Sequence, residues 1–309
     1  MTGQIWVRSS LRSLRDRLES VGHPVSVPTV GRLLKKLGYA LHVNAKKIEA
    51  SSNHPDRDQQ FNYIAVQRAS FTAAELPILS VDTKKKELVG DFRNAGRAWS
   101  REPTAVNVHD YPHDALGRAV PYGVYDVTTH RGFMCLGTSG DTPAFAVDTI
   151  SGWWQTEGRA AYPTADHLLL LADAGGSNGF QIRAWKERLQ VELCDRFGLT
   201  VTVCHYPTGC SKWNPIEHRL FSQISRNWAG VPLRTWDTLL AFIRGTTTSS
   251  GLAVHAQFQP GDYPIGQKVS DAEMDALHLE RHAVCPAWNY TIRPRIPAPN
   301  AAPLRELIL

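Results

Sequence analysis

Apolar positions recur along this chain with two different periods. Between residues 11 and 37 the spacing is helical. Leu11, Leu14, Leu18 and Val21 form one stripe, and Val30, Leu33, Leu34 and Leu37 form a second. Gly22-His23-Pro24 stops the first helix. Ser26 stands where an N-cap belongs, with Pro28 in the first turn, where a missing N–H costs nothing. Gly38 ends the second helix. The pattern predicts two short helices joined by a tight turn, with the two stripes as their buried faces. Residues 43–57 are polar and read as a linker. Phe61, Ile64, Ala65, Ala69 and Phe71 predict one further helix.

From Pro77 the period shortens. Residues 78–82 form a short β-like run that ends on Asp82. Residues 122–128 and 132–137 predict two antiparallel strands around a turn at 129–131. A helix over 142–156 follows, then an apolar run at 168–172 fit for a buried central strand and ending on Asp173. The spacing then predicts a helix over 180–197, a strand over 199–205 and a helix over 214–228. Three strands that can pair antiparallel thus precede strands connected through helices. That order predicts an α/β fold, a ribonuclease-H-like mixed sheet flanked by helices, preceded by a small all-α helix-turn-helix domain. The expected divisions are a helix-turn-helix domain at 1–45, a linker and connecting helix at 46–76, the sheet domain at 77–290 and an extended Pro- and Ala-rich tail at 291–309.

Composition narrows the class. The chain has 309 residues, 42% of them hydrophobic and 20% charged, enough to bury a core and unlike a disordered chain or a coiled coil. No apolar run approaches the roughly 18–20 residues that span a bilayer. The first ten residues lack the apolar core of a signal peptide. The expectation is a cytoplasmic protein without a membrane partner. Five scattered cysteines contain no CxxC pair, which indicates neither a zinc ribbon nor a disulfide framework.

The net charge of +5 has a location. Residues 1–60 hold ten basic and five acidic residues, so the remaining 24 basic and 24 acidic residues balance. The second helix would present Thr29, Arg32, Lys35 and Lys36 to phosphates and base edges in a major groove. An amphipathic hairpin with solvated charges fits the same pattern.

The carboxylates carry the chemistry. In the predicted sheet the first and fourth strands are neighbours, so their ends bring Asp82 and Asp173 side by side. The helix after Lys212-Trp213-Asn214-Pro215 can cross that edge and add Glu217. Three carboxylates at one edge stay ionised cheaply only where cations neutralise them. Hard oxygen ligands suit Mg2+ or Mn2+, and a pair of such ions can activate an attacking oxygen and stabilise a leaving one. Singly, each acid has a plainer explanation: Asp82 as a cap on the Lys-rich turn, Asp173 as a turn residue before Gly-Gly, Glu217 as a first-turn acid on its helix dipole. Asp126 also ends a strand, but at the hairpin turn. The run Gly175-Gly176-Ser177-Asn178-Gly179 lacks the Gly-Lys-Ser/Thr ending of a nucleotide loop and the spacing of a dinucleotide fingerprint, so no nucleotide cofactor is expected. Lys84, Lys85 and Lys86, and Lys212 beside Trp213, can meet phosphate or an unstacked base, or stand as solvated turn residues.

Several segments together resemble a family. They are GRLLKKLGYALHVNAK (31–46), HPDRDQQFNYI (54–64), SVDTKKKELVGDFRNAGR (80–97), ADAGGSNG (172–179), SKWNPIEHRLFSQI (211–224) and CPAWNYTIRP (285–294). On these the chain resembles bacterial insertion-sequence transposases of the Rhodopirellula-type DDE family. The resemblance implies a ribonuclease-H-like fold, an Asp, Asp, Glu triad falling on Asp82, Asp173 and Glu217, and Mg2+ or Mn2+, with two ions, at those acids. It implies cleavage at transposon ends and transfer of the 3′-OH to target DNA by a homo-oligomer on paired ends, acting at the nucleoid. Its partners would be terminal inverted repeats and target DNA. A ribonuclease-H-like nuclease without strand transfer, and an inactive, truncated DNA-binding derivative, are the alternatives. Similar proteins carry more sequence before the helix-turn-helix, so a shortened N-terminus or a misplaced start codon is expected here.

Overall fold

The structure, a computed structural model, describes residues 9–40, 54–108 and 111–295. The chain divides into two compact units, Met1–Glu49 and Ala50–Leu309. Residues 43–53 of the linker expected at 43–57, and residues 296–309 of the tail expected at 291–309, lie outside the described residues.

In the first unit, α1 (Leu11–Ser20) and α2 (Val27–Lys36) are the two predicted helices. Ser10 and Ser26 cap them, accepting the N–H of Ser13 at 3.1 Å and of Thr29 at 3.4 Å. Both close alike: His23 N–H donates to Leu18 O at 2.8 Å and Tyr39 N–H to Leu34 O at 2.9 Å, just past Gly22 and Gly38. The stripes are less covered than the spacing predicts. Val30 is buried, whereas Val21, Leu33 and Leu37 keep 67%, 43% and 72% of their surface exposed. Among the described residues each of the two helices has the other as its one neighbour, and a stripe wider than that single contact stays uncovered.

The second unit is built on a nine-stranded mixed sheet. Its strands are β1 (Ile78–Thr83), β2 (Glu87–Val89), β3 (Gly117–Asp126), β4 (Arg131–Gly137), β5 (His167–Ala172), β6 (Thr200–His205), β7 (Ala253–Phe258), β8 (Leu279–Arg281) and β9 (Asn289–Ile292). The spatial order is β7-β4-β3-β1-β5-β6-β9-β8, with β2 paired to β3. β1 runs antiparallel to β3 and parallel to β5, and β5 runs parallel to β6. This is the ribonuclease-H-like arrangement that the element order predicts.

Helices cover both faces. On one lie α4 (Pro143–Trp153), which continues through a π-helical turn into α5 (Arg159–Ala161), and α6 (Arg183–Leu189). They bury Leu79, Val81, Leu168, Leu170 and Val203 with Trp153 and Trp185. On the other lie α3 (Arg57–Ala73), α7 (Ser222–Asn227) and α8 (Trp236–Arg244). The four leucines from Leu168 to Leu171 are fully buried, and each contributes about 2 kcal/mol by leaving water. That two-sided burial is why β5 reads as an unbroken apolar run.

Gly123 and Gly132 set how closely the helical segment from Glu217 lies on the sheet. A Cβ on Gly123 would stand 2.6 Å from Phe221 Cε1, and one on Gly132 would stand 2.6 Å from Leu220 Cδ1. Some elements depart from the predicted ones. The helix expected from 180 starts at Arg183, because residues 179–182 first close a turn in which Ile182 N–H donates to Gly179 O at 3.0 Å. The sequence pattern left α8, α9 (Asp271–Asp275), β2 and β7–β9 unassigned.

Candidate active site

Strand parity decides where the acids point. On β1, Leu79 and Val81 enter the α4–α6 core, so Ser80 and Asp82 face the opposite side. On β5, Leu168, Leu170 and Ala172 enter that same core, so Leu169, Leu171 and then Asp173 face the side of α3 and α7. The two strands pair in parallel with Val81 opposite Ala172. Asp82 and Asp173 are the next residues on each strand, and they come together at one end of the sheet on one face. Asp126 sits opposite Leu79, at the other end of β1. Its carboxylate is fully engaged there: it accepts from Tyr162 Oη at 2.9 and 3.0 Å and from the N–H groups of Thr128 and Thr129.

Glu217 reaches the same region from the helical segment Glu217–Phe221, held down by Ile216, Leu220 and Phe221 in the core. A buried network ties the three segments together. Asn214 Nδ2 donates to Asp173 Oδ1 at 3.1 Å and to Val81 O at 3.3 Å. Ser80 Oγ donates to Asn214 Oδ1 and accepts the Ile216 N–H at 2.9 Å. One asparagine therefore joins β1, the end of β5 and the start of the Glu217 helix. A second support lies behind Asp173. His205 is fully buried, its Nδ1 lies 2.9 Å from Asp173 O and its Nε2 3.1 Å from Tyr290 Oη, which accepts from Trp185 Nε1 at 2.9 Å.

The electrostatics are those of crowded acids. Burial, then the charge of Asp173, raise the Asp82 carboxyl well above the usual carboxylate range, with Glu217 and Asp141 adding to the effect. Burial also raises Asp173, which the Asn214 hydrogen bond partly offsets and Glu217 reinforces. Glu217 is raised by burial and held back by Lys84 and His218. Asp82, Asp173 and Asp141 line one cavity of about 530 Å³, while Glu217 lines a neighbouring cleft of about 860 Å³; Lys84 and Lys85 border both. Among the described residues no three His, Cys, Asp or Glu side chains gather tightly enough to hold a metal ion by themselves.

Three participants were not singled out from sequence. Asp141 accepts from Thr83 Oγ1 at 2.9 Å and pairs with Lys86 at 3.4 Å. Its only sequence signal is its place before the capped start of α4 at Thr142. Tyr122 is wholly buried in the α4–α6 core beside Phe145, the charges of Asp82, Asp141 and Asp173 help raise its phenol, and its hydroxyl has no hydrogen-bond partner among the described residues. His205 is the third.

The basic candidates separate. Lys84 is drawn inward, which corrects its expected role as a surface phosphate contact. It is 5% exposed, paired with Glu87 at 3.5 Å and stacked 4.4 Å from the Trp228 ring. Lys85 and Lys212 are exposed, the latter lying 5.5 Å from the Trp213 ring. In the first unit Arg32, Lys35 and Lys36 are exposed, and Thr29 is half-buried with its hydroxyl 2.9 Å from Ser26 Oγ.

The fold and the carboxylate edge thus define a ribonuclease-H-like protein with paired strand-end acids. The chain belongs to the Rhodopirellula transposase DDE domain family, whose model matches residues 1–294. Among solved structures it is similar to the "Mos1 transposase paired-end complex with left transposon end", at 12% identity and a TM-score of 0.45 over 76% of this chain and 66% of that one. It is similar also to the "Mos1 mariner paired end complex with Mn", at 13% identity and a TM-score of 0.45, with the same coverage. The chain therefore spans just under two thirds of those proteins' length. No curated protein matches it.

Proposed function

We propose that this chain is a DDE transposase that cuts DNA at transposon ends and transfers the resulting 3′-OH to target DNA, with Asp82, Asp173 and Glu217 as its catalytic carboxylates. The observation that carries the reading is the β1–β5 register, which sets two acids side by side on the face where a third arrives. Membership of a DDE transposase family supports it.

The donor set fits a hard divalent cation. Every group at the edge offers oxygen, and the crowded acids raise one another's proton affinity as expected of a site lacking its counter-charge. Mg2+ characteristically takes one or two carboxylates and completes its shell with water and phosphate, so a closed cage of three protein ligands is not required. Asp82 and Asp173 would hold the ions jointly, and Glu217 would bind one of them. Bound there, Mg2+ or Mn2+ supplies Lewis-acid activation of the attacking and leaving oxygens. Asn214 fixes the Asp173 carboxylate, and Lys84 supplies Glu217 with a buried counter-charge. Lys85 and Lys212 border the cleft where a phosphodiester enters. The basic face of α2 binds terminal repeats, and homo-oligomers pair the two ends.

The test uses a labelled transposon end. Asp82→Asn, Asp173→Asn and Glu217→Gln are each expected to abolish Mg2+-dependent cleavage while a gel shift of the same DNA persists. Undiminished cleavage by one variant removes that residue from the triad. Joining of a pre-cut end to a plasmid distinguishes transposition from hydrolysis alone.

A further inference from the structure

A further cavity, of about 860 Å³, shares no lining residue with the carboxylate edge, and Lys186 lines it with Arg183 and Arg281. Lys186 is the unusual member. It is only 5% exposed, its Nζ sits 5.3 Å from the Tyr290 ring, and no carboxylate among the described residues pairs with it. Burial and the two neighbouring guanidinium groups lower its proton affinity to a pKa of about 8, and no acid offsets them. A buried cation without a counter-charge costs free energy, and a bound anion removes that cost.

The neighbouring cations retain donors. Arg281 Nη1 donates to Pro286 O at 2.9 Å. Arg183 Nη1 donates to Val269 O at 3.2 Å and pairs with Asp271 at 2.6 Å. Asp271 and Asp275 also line the cavity, both on the exposed surface of α9. Gln181 lines it too, with the half-buried apolar side chains of Phe180, Met274 and Leu279. Cations together with aromatic and aliphatic side chains in one cavity match the two chemistries of a nucleotide, its phosphate and its base.

We infer that this cavity binds a nucleotide unit, its phosphate against Lys186, Arg183 and Arg281 and its base against the Phe180 wall. The site is separate from the carboxylate edge and does not rest on the proposed transposase chemistry. Isothermal titration of the full chain with the dinucleotide pdTpdT and with inorganic phosphate tests it. The dinucleotide is expected to bind, and Lys186→Met to weaken it at least about tenfold, the usual scale of a charge-assisted contact. Lys186→Arg is expected to retain most of the affinity. Arg281→Gln, at an exposed position, provides a weakening variant whose folding is not in question. Asp173→Asn is expected to bind pdTpdT as the parent does, which keeps this site distinct from the failure or success of the catalytic reading. Phosphate binding as tight as the dinucleotide keeps the anion site and overturns the nucleotide assignment. No heat with either probe, or affinity unchanged in both Lys186→Met and Arg281→Gln, overturns the inference.

Discussion

Removing a charge from the carboxylate edge is expected to stabilise the protein in metal-free buffer. Asp82→Asn is the cleanest perturbation, because Asp82 Oδ1 accepts the Thr83 N–H at 2.7 Å and an amide oxygen accepts it equally well. Burial and the neighbouring acids raise the Asp82 carboxyl from 3.8 to about 8. The folded chain therefore holds this proton more tightly than the unfolded chain. Below about pH 4 the acid is protonated in both states and costs nothing. As pH rises from about 4 to 8 the unfolded chain ionises freely, the folded chain does not, and stability falls. Each tenfold change in proton affinity is about 1.4 kcal/mol, which sets a ceiling of roughly 6 kcal/mol above pH 8. Asp173 shares the repulsion, so about 2–3 kcal/mol is the expected gain from neutralising Asp82 alone. For a unit of this size that raises Tm by roughly 4–12 °C. Thermal unfolding in EDTA across pH 4–9 checks it, with Mg2+ then expected to raise the parent's Tm and leave that of Asp82→Asn nearly unchanged. A variant no more stable than the parent at pH 8, or one whose gain is the same at pH 4, would refute the account of crowded, uncompensated acids.

Other consequences follow from particular contacts. Asn214→Ala leaves Ser80 and Asp173 without their shared partner. It is expected to cost about 1–3 kcal/mol in urea unfolding and to weaken Mg2+ activation of cleavage more than DNA binding. Gly132→Val places a side chain where Leu220 already lies; a destabilisation of about 1–3 kcal/mol from overpacking is expected, with a lower urea midpoint as the readout. Replacing Arg32, Lys35 and Lys36 together by Ala is expected to flatten the salt dependence of DNA binding, by about 0.9 in log–log slope for each phosphate no longer neutralised. An unchanged slope in fluorescence anisotropy would place the phosphate-binding cations elsewhere.

The acids were legible because two simple periods locate them. The short β-like run at 78–82 ends on Asp82 and the apolar run at 168–172 is followed by Asp173, and the parallel pairing of neighbouring strands turns two line endings into one edge. Supports of that edge were not legible, because their partners are distant in sequence. Asn289 exchanges hydrogen bonds with Gln60 at 2.6 and 2.8 Å across 229 residues, and no local pattern marks either amide. Likewise β8 has three residues and β9 four, too short for a period to declare itself. Lys84 misled for another reason. A run of three lysines has the composition of a solvated turn, yet the first of them follows β1 directly and finds Trp228 and Glu87 inside. In the first unit the stripes predicted the helices correctly and their burial incorrectly, since periodicity shows which face is apolar and not whether anything covers it.

The support behind Asp173 has a fixed hydrogen-bond direction, and this bears on how pH data are to be read. Asp173 O only accepts, so His205 Nδ1 carries the proton and Nε2 accepts from the Tyr290 hydroxyl. Tyr290 in turn accepts from Trp185 Nε1, which only donates. Every group in the chain is thereby satisfied with a neutral imidazole. Burial and the charge of Lys186 hold it neutral, lowering its pKa to about 4. Tyr290, wholly buried, is raised far above the range in which a phenol ionises in ordinary buffers. Neither group changes state between pH 5 and 9, the interval in which Asp82 and Asp173 exchange protons. His205 and Tyr290 therefore contribute nothing to a pH dependence of stability measured in metal-free buffer over that interval.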